Sequence, residues 1–372
     1  MKVLMLGDPY EPHVIKWVSA LVREGVEIIL FSFNPGDPSL FPSDERITFY
    51  HSGFSEKLIT GRPGNLSKLS YLRVLPKLKH VITRHRPDIL HAHYAAGYGL
   101  IGALTGFQPF VLSAWGSDVV HFPTISPLHR KMIRFILKKA GRVLCTSRYM
   151  AGHIAKLAAI QAEITPFGID TRIFYPMNHR TNQNTGQFPI VIGTIKKMKP
   201  EYNLHTLICA FYHVRRLLPE QPLRLLMVGD GTERRRLEEL THRKGLDAFV
   251  NFTGYIPYSE IATYHNKLDI YVNVSLAESF GVSVLEASAC QRPVVASGVG
   301  GLKEVVCHGH TGYLVEPGNI EAVARAICRL IKDPSLREKM GARGRAWVQQ
   351  NYSLDSSVQQ MLRVYHQVLQ RK

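Results

Sequence analysis

The chain has 372 residues, 45% of them hydrophobic, and its 46 Lys+Arg against 29 Asp+Glu leave a net charge of +17. At about 150 residues per domain this length corresponds to two domains, and the apolar fraction excludes a disordered chain. The 29 Gly and 21 Pro follow no collagen-like period, and the five cysteines (Cys145, Cys209, Cys290, Cys307, Cys328) show neither CxxC nor zinc-knuckle spacing, so they read as reduced and cytosolic.

In chain order, strand-like and helix-like segments alternate. VLMLG (3–7) reads as a buried strand, too short for the apolar core of a signal peptide, and no run approaches 18 apolar residues. A helix over 13–25, ending at Gly25, precedes a strand over 26–33. A helix around 70–86, which Pro76 is expected to interrupt or kink, leads to the strand DILHAH (88–93). Next come the strand FVLSAW (110–115), a helix over 130–141 and the strand RVLCTS (142–147). Near-continuous Val/Ile/Leu strands between amphipathic helices indicate a parallel sheet covered on both faces. The pattern lapses in the polar FYPMNHRTNQNTGQFP, then resumes with IVIGTI (190–195), LRLLMVG (223–229), FVNFTG (249–254), DIYVNVS (269–275) and PVVAS (293–297). The expected fold class is therefore α/β, with two doubly wound Rossmann-like domains facing across a cleft. The expected boundaries are 1–176, a linker at 177–189, 190–350, and a C-terminal helix at 351–372 that packs back towards the first domain.

The densest chemistry lies in Glu278-Ser279-Phe280-Gly281-Val282-Ser283-Val284-Leu285-Glu286. Two carboxylates eight residues apart flank a Ser-Phe-Gly turn that opens an apolar helix. Amides from Ser279 to Val282 would then point out of a helix N-terminus, where a phosphate or sugar oxygen binds. Glu286 could accept hydrogen bonds from a ribose diol, and within the apolar LEASAC its carboxylate needs a partner.

With PVVASGVGGLKEVV and TGYLVEPGN behind it, this stretch resembles the nucleotide-sugar glycosyltransferases of family 4, which have the GT-B fold. RPDILHAHYAAGYGL (86–100), SAWGSDV (113–119), ITPFGIDTRIFYP (164–176), LLMVGDGTERRRLE (225–238) and VNFTGYIP (250–257) extend the likeness, in order, from residue 1 to about 352. The resemblance implies that Glu278 contacts the donor sugar and that Ser279, Phe280, Gly281 and Val282 bind sugar oxygen and diphosphate through their backbone. It further implies that Glu286 holds the ribose, that Gly229 and Gly231 let the backbone pass close to the nucleotide, and that Gly254, Tyr255 and Ile256 line the base pocket. Basic residues near the diphosphate would be Lys196, Lys197 or Lys199, with Lys199 also a catalytic candidate. The usual diphosphate lysine position holds Glu201.

A second departure lies in the first domain. Trp115 stands where relatives often carry His, directly before Gly116-Ser117-Asp118. Asp118 is a catalytic or acceptor-orienting candidate, its other reading being a turn-stabilising Asx residue. His13, Trp115 and Gly116 are the acceptor-side candidates.

The implied reaction is retaining transfer of a hexose-type sugar from a UDP- or GDP-sugar to a glycan or lipid-linked hydroxyl, in cell-surface polysaccharide, lipopolysaccharide or glycolipid synthesis. No cofactor is implied. There is no DxD metal clamp, no GxxxxGK[ST] and no early GxGxxG, and His91-Ala-His93 lacks a third zinc ligand.

The stretches Lys57–Pro87 and Val119–Ala162 each hold eight Lys/Arg and no acid, and LHRKMIRFILKKAGR (128–142) is a basic amphipathic pattern. These suit an anionic membrane surface, hence an enzyme peripheral on the inner face of the cell membrane. Two other readings stay open: a weakly active GT-B nucleotide-sugar-binding or partner subunit, and a basic nucleic-acid-binding protein. The second lacks RNP aromatics and zinc-finger spacing, so no nucleic-acid partner is expected.

Overall fold

A computed structural model describes residues 1–54, 71–177 and 188–370. Most of the expected linker 177–189 and the first part of the Lys57–Pro87 stretch lie outside the described residues. The chain forms two compact units, Met1–Phe167 with Asp355–Lys372, and Gly168–Leu354.

In the first unit, strands β1 (Lys2–Leu6), β2 (Glu27–Ser32), β3 (Ile47–His51), β4 (Ile89–His93), β5 (Phe110–Ser113), β6 (Arg142–Cys145) and β7 (Glu163–Ile164) form one sheet in the order β3-β2-β1-β4-β5-β6-β7. Every pairing is parallel. In the second, β8 (Ile190–Ile195), β9 (Leu223–Val228), β10 (Val250–Gly254), β11 (Ile270–Asn273), β12 (Val294–Ser297) and β13 (Gly312–Val315) run in the order β10-β9-β8-β11-β12-β13, again parallel throughout. Each sheet reverses its winding direction beside its first strand, at β1/β4 and at β8/β11. In doubly wound folds ligands bind outside the carboxyl ends of the strands at this switch point. The central strands are buried on both faces, which explains their continuous apolar runs: Leu4, Leu6, Ile29, Phe31, Leu90 and Leu112 are enclosed in the first core, and Ile192, Leu225, Met227, Ile270 and Val272 in the second.

Local chemistry sets the helix ends. Ser126 caps Pro127–Lys139 by accepting the His129 amide, so this helix starts three residues before the expected Arg130. The first of the basic helices spans Leu75–His85, and Pro76 does not kink it. Pro76 sits in the first turn, where the missing N–H has no intrahelical partner to lose.

The first unit ends at Phe167 rather than Pro176, for a visible reason. Segment 168–177 is bonded into the second unit, where Asn266 donates to the Tyr175 carbonyl (2.9 Å) and accepts the Met177 amide (2.8 Å), and Arg345 donates to the Phe174 carbonyl (3.1 Å). The helix Leu354–Leu369 belongs largely to the first unit. There Tyr365, fully buried, shares a 2.7 Å hydrogen bond with Nδ1 of His91 on β4, whose Nε2 meets Ser113 Oγ at 2.8 Å. Among the described residues no helix is long and apolar enough to cross a membrane.

Tyr365→Phe removes one of the two hydrogen-bond partners of a wholly enclosed imidazole. Urea unfolding of the first unit should show a loss of about 1–3 kcal/mol, and an unchanged midpoint would mean that the hydrogen bond contributes nothing.

Candidate active site

The second unit brings five loops to the carboxyl edge of its sheet. At the switch point, Lys196 directly follows β8 and Glu278 lies in the loop after β11, and the Lys196 ammonium bonds the Glu278 carboxylate. Their side chains are only 13% and 15% exposed, so this is a sheltered pair rather than a surface one. The Tyr202 ring lies 4.4 Å from the Lys196 ammonium, and the buried Tyr271 hydroxyl beneath donates to Ser283 Oγ at 2.8 Å. Burial works against the Lys196 charge, but the Glu278 carboxylate and the two tyrosines outweigh it and raise the ammonium's pKa, so it stays a cation at neutral pH. Lys197 and Lys199 are exposed, with Lys199 preceding the short 3-10 turn Pro200–Tyr202. Lys196, not Lys199, is thus the cation placed on Glu278. Glu201 is exposed, and its backbone carbonyl accepts the Leu276 amide.

Gly229 and Gly231 fit their expected use as points of close approach, although what approaches is protein. Both have positive φ (125° and 157°), and a Cβ at either would collide with the backbone carbonyl of Lys196 or Met198. The Met198 amide donates to the Asp230 carbonyl (2.8 Å) and the Glu233 amide to the Met198 carbonyl (2.9 Å), so the loops after β8 and β9 are locked together. The Gly229 amide reaches the Gly254 carbonyl at 3.0 Å, which adds the loop after β10. Ile256 is half-buried there, while the Tyr255 side chain is 79% exposed.

Gly281 precedes the helix Val282–Ala289, Ser279 and Val282 are half-buried, and Phe280 is buried against Tyr352. The Gly301 amide donates to the Glu278 carbonyl at 2.9 Å and holds the turn from the β12 side. Glu286, on this helix, is buried as its apolar setting required, and it has partners. The Tyr258 hydroxyl donates to Oε1 (3.3 Å), and Nε2 of the fully enclosed His265 stands 3.5 Å from Oε2. Burial of its hydroxyl, and then the Glu286 charge, push the Tyr258 pKa well up, which keeps it a donor. Tyr202, Tyr258 and His265 carry no motif of their own. Their only signal is proximity in sequence to the β8 loop and to Gly254-Tyr255-Ile256.

In the first unit, His13, Trp115 and Phe167 form an aromatic cluster. The His13 ring stacks on Phe167 (3.8 Å, 4° between planes), and Trp115 meets both edge-on. His93, at the end of β4, lies 5.3 Å from Trp115 with neither ring nitrogen hydrogen-bonded, and burial pushes its pKa down to about 3. Burial, then Lys16 and His93, likewise hold His13 well below the usual imidazole range, so both rings are neutral at pH 7. A small pocket beside this cluster is lined by Trp17, Ser113, Trp115, Thr165, Phe167 and Met361.

Asp118 requires a correction. It is 0% exposed, and its oxygens accept the amides of Ala95 (2.7 Å), Gly116 (2.8 Å) and Trp115 (3.1 Å). A carboxylate enclosed this way cannot reach a substrate. It shapes the loop that presents Trp115 and Gly116, and is a positioning residue.

Two Rossmann-like units, the second with an ion pair and a helix-opening turn at its switch point, define the class of GT-B glycosyltransferases. Residues 178–347 match the family described as glycosyl transferases group 1, and residues 2–147 match glycosyl transferase 4-like. A GDP-mannose-dependent alpha-(1-6)-phosphatidylinositol monomannoside mannosyltransferase of Mycolicibacterium smegmatis is 30% identical over 296 residues, 75% of this chain and 76% of that one. The N-acetyl-alpha-D-glucosaminyl L-malate synthase of Bacillus anthracis is 27% identical over 308 residues, 80% and 79% of the two chains. A sucrose-phosphate synthase from Thermosynechococcus elongatus, 22% identical, superposes with a TM-score of 0.87 over the whole of both chains, a likeness of fold. The chain belongs to the group 1 glycosyltransferases, family 4, and is a glycosyltransferase.

Asp118→Asn sets an amide NH2 against backbone donors that now share a carboxylate. Thermal and urea unfolding should report a loss of about 1–3 kcal/mol. Full stability with abolished turnover would instead make Asp118 a direct participant.

Proposed function

We propose that the enzyme transfers a hexose-type sugar from a UDP- or GDP-sugar to a hydroxyl of a glycan or lipid-linked acceptor, with retention of configuration and without a metal. The observation that carries this reading is the sheltered Lys196–Glu278 pair at the switch point of the second sheet. Glu278 would orient donor sugar hydroxyls beside the reacting carbon. The Lys196 ammonium, with the turn amides of Ser279 to Val282, would offset the charge that develops on the departing diphosphate. Glu286, held by Tyr258 and facing His265, would accept the ribose diol. Gly229, Gly231, Gly254 and Ile256 would border the nucleotide.

In the transfer, the acceptor oxygen bonds to the anomeric carbon on the face that the phosphate leaves, the carbon–phosphate oxygen bond breaks, and the acceptor proton passes to the leaving phosphate. The reading is supported by a cation and a carboxylate already placed side by side, with no second carboxylate beside Glu278 to act as a nucleophile among the described contacts. His13 and Trp115 are proposed acceptor contacts in the first unit, where a neutral imidazole and an indole face suit a polyol with one polar and one apolar side.

A second reading, a nucleotide-sugar-binding subunit of low activity, is favoured by Glu201 in place of a lysine. Lys196 weakens it, because the cation is supplied from a neighbouring position.

A thermal-shift screen of UDP, GDP and their sugars should raise the unfolding temperature for one nucleotide series, since a ligand of the folded state stabilises by mass action. Glu278→Gln should lower turnover far more than donor affinity, and equal loss of both would remove its assigned role. Glu286→Ala should weaken nucleotide binding by about 1.5–3 kcal/mol, the worth of charged hydrogen bonds. Tight nucleotide binding with no turnover on any donor would favour the binding subunit.

A further inference from the structure

The helices Leu75–His85, Leu100–Thr105, Pro127–Lys139 and Arg148–Ala158 follow β3, β4, β5 and β6 in turn. These crossovers all step in one direction along the sheet, so right-handed connections put all four helices on the same face. Each packs against the next. The described helices of the two acid-free stretches are therefore parts of one surface. Lys77, Lys79 and Arg84 lie exposed on its first helix, and Arg130, Lys131, Arg134, Lys138 and Lys139 on its third.

No carboxylate offsets these cations from within the segment. From Lys57 to Ala162 the sequence has two acids, Asp88 and Asp118. Asp118 is enclosed and committed to backbone amides. Asp88 accepts the Lys2 amide at 2.8 Å, where β4 begins.

The third helix also turns apolar side chains outward. Its core seam is Ile133, Ile136 and Leu137, all enclosed. Leu128 and Phe135, seven residues apart and so on one line, point away from that seam, and Leu128 is 72% exposed. Ile125, just before the helix, is 49% exposed, and the neighbouring helix adds the exposed Leu104.

We propose that this face of the first unit docks on an anionic phospholipid bilayer, with the cations on the headgroups and Ile125, Leu128 and Phe135 at the edge of the acyl region. Phosphate charge alone would satisfy the cations, but only a bilayer also takes up apolar side chains set among them. A nucleic-acid backbone offers Leu128 nothing. The proposal goes beyond the sugar-transfer reading and does not rest on it, since it involves neither Glu278 nor Glu286.

The test is flotation of the full chain with phosphatidylcholine vesicles, with and without phosphatidylglycerol. The protein should float only with the anionic lipid, and less as salt rises. Each cation near such a surface is worth roughly fivefold in partitioning. Replacing Arg130, Lys131, Arg134, Lys138 and Lys139 with Glu should therefore lower binding by more than about 100-fold. Ile125→Ser with Leu128→Ser changes two exposed residues without burying charge, and should lower it roughly tenfold. This pair decides the matter if the five-fold variant does not fold. Nucleotide-induced thermal shift, read on the same samples, should be unchanged and reports the donor site separately. No flotation, flotation that survives the Ile125/Leu128 pair, or tighter salt-sensitive binding to an oligonucleotide than to vesicles would overturn the proposal.

Discussion

A sheltered carboxylate must find a cation or give up its charge, and the second unit is organised around that requirement at Glu278. Its partner Lys196 comes from the end of β8, the strand beside β11 at the winding reversal, so the pair joins the two strands on either side of the switch point. Tyr202 covers the ammonium on one side and Tyr271 underlies it. The backbone at Lys196 and Met198 in turn fixes the loop after β9, because only glycine at 229 and 231 lets the two chains pass so closely. The ion pair ties the loops after β8 and β11, and these backbone contacts tie the loop after β9 to them. A diphosphate arriving at this edge would meet an ammonium that is already charged, oriented and partly desolvated, and such preorganisation makes fixed charge effective in transfer chemistry.

Two buried carboxylates in this protein show why a motif alone does not assign a role. Asp118 follows Gly116-Ser117 and Glu278 precedes Ser279-Phe280-Gly281, and both stand near the carboxyl edge of a parallel sheet. The surroundings separate them. Asp118 accepts two backbone amides of its own loop, those of Trp115 and Gly116, and a third from Ala95. Glu278 has one mobile cation as its partner, and a lysine side chain can be shared with a ligand in a way that backbone amides cannot. Saturation by local backbone leaves Asp118 no free acceptor for a ligand, whereas the pairing of Glu278 with a lysine side chain is compatible with the role proposed for it.

The alternation of the two units was legible because parallel strands buried on both faces must be continuously apolar, as in VLML, EIILFS and LRLLMV. The two edge strands of the first sheet were not. ITFYH (β3) is half-buried along its length, and β7 has two residues, so neither has a run to detect. Pro76 looked like a break because its position within the helix depends on where the helix starts, which is decided by packing. In the site, Glu278, Glu286 and the glycines stood out through their spacing and the family likeness. Tyr202, Tyr258 and His265 did not, because each acquires meaning only from a neighbour brought up by the fold. The departure at Glu201 illustrates the same limit. Counted along the sequence, a lysine is missing at 201; in space, Lys196, five residues upstream, is the lysine that meets Glu278.

The excess of positive charge follows the same logic of partners. In the second unit, several helix arginines are matched within one helical turn: Arg234 with Glu238, Arg235 with Glu239, Arg236 with Glu233 and Arg325 with Glu321. Such pairs neutralise one another and leave little field beyond the surface. The crossover helices of the first unit have no acids with which to do this. Their cations repel one another across a single face, an arrangement that disfavours the compact state and that an external anionic surface would relieve. The excess of +17 is therefore patterned differently in the two units: in the second, part of the positive charge is matched by acids one helical turn away, while in the first it stands on acid-free helices with hydrophobic side chains among the cations.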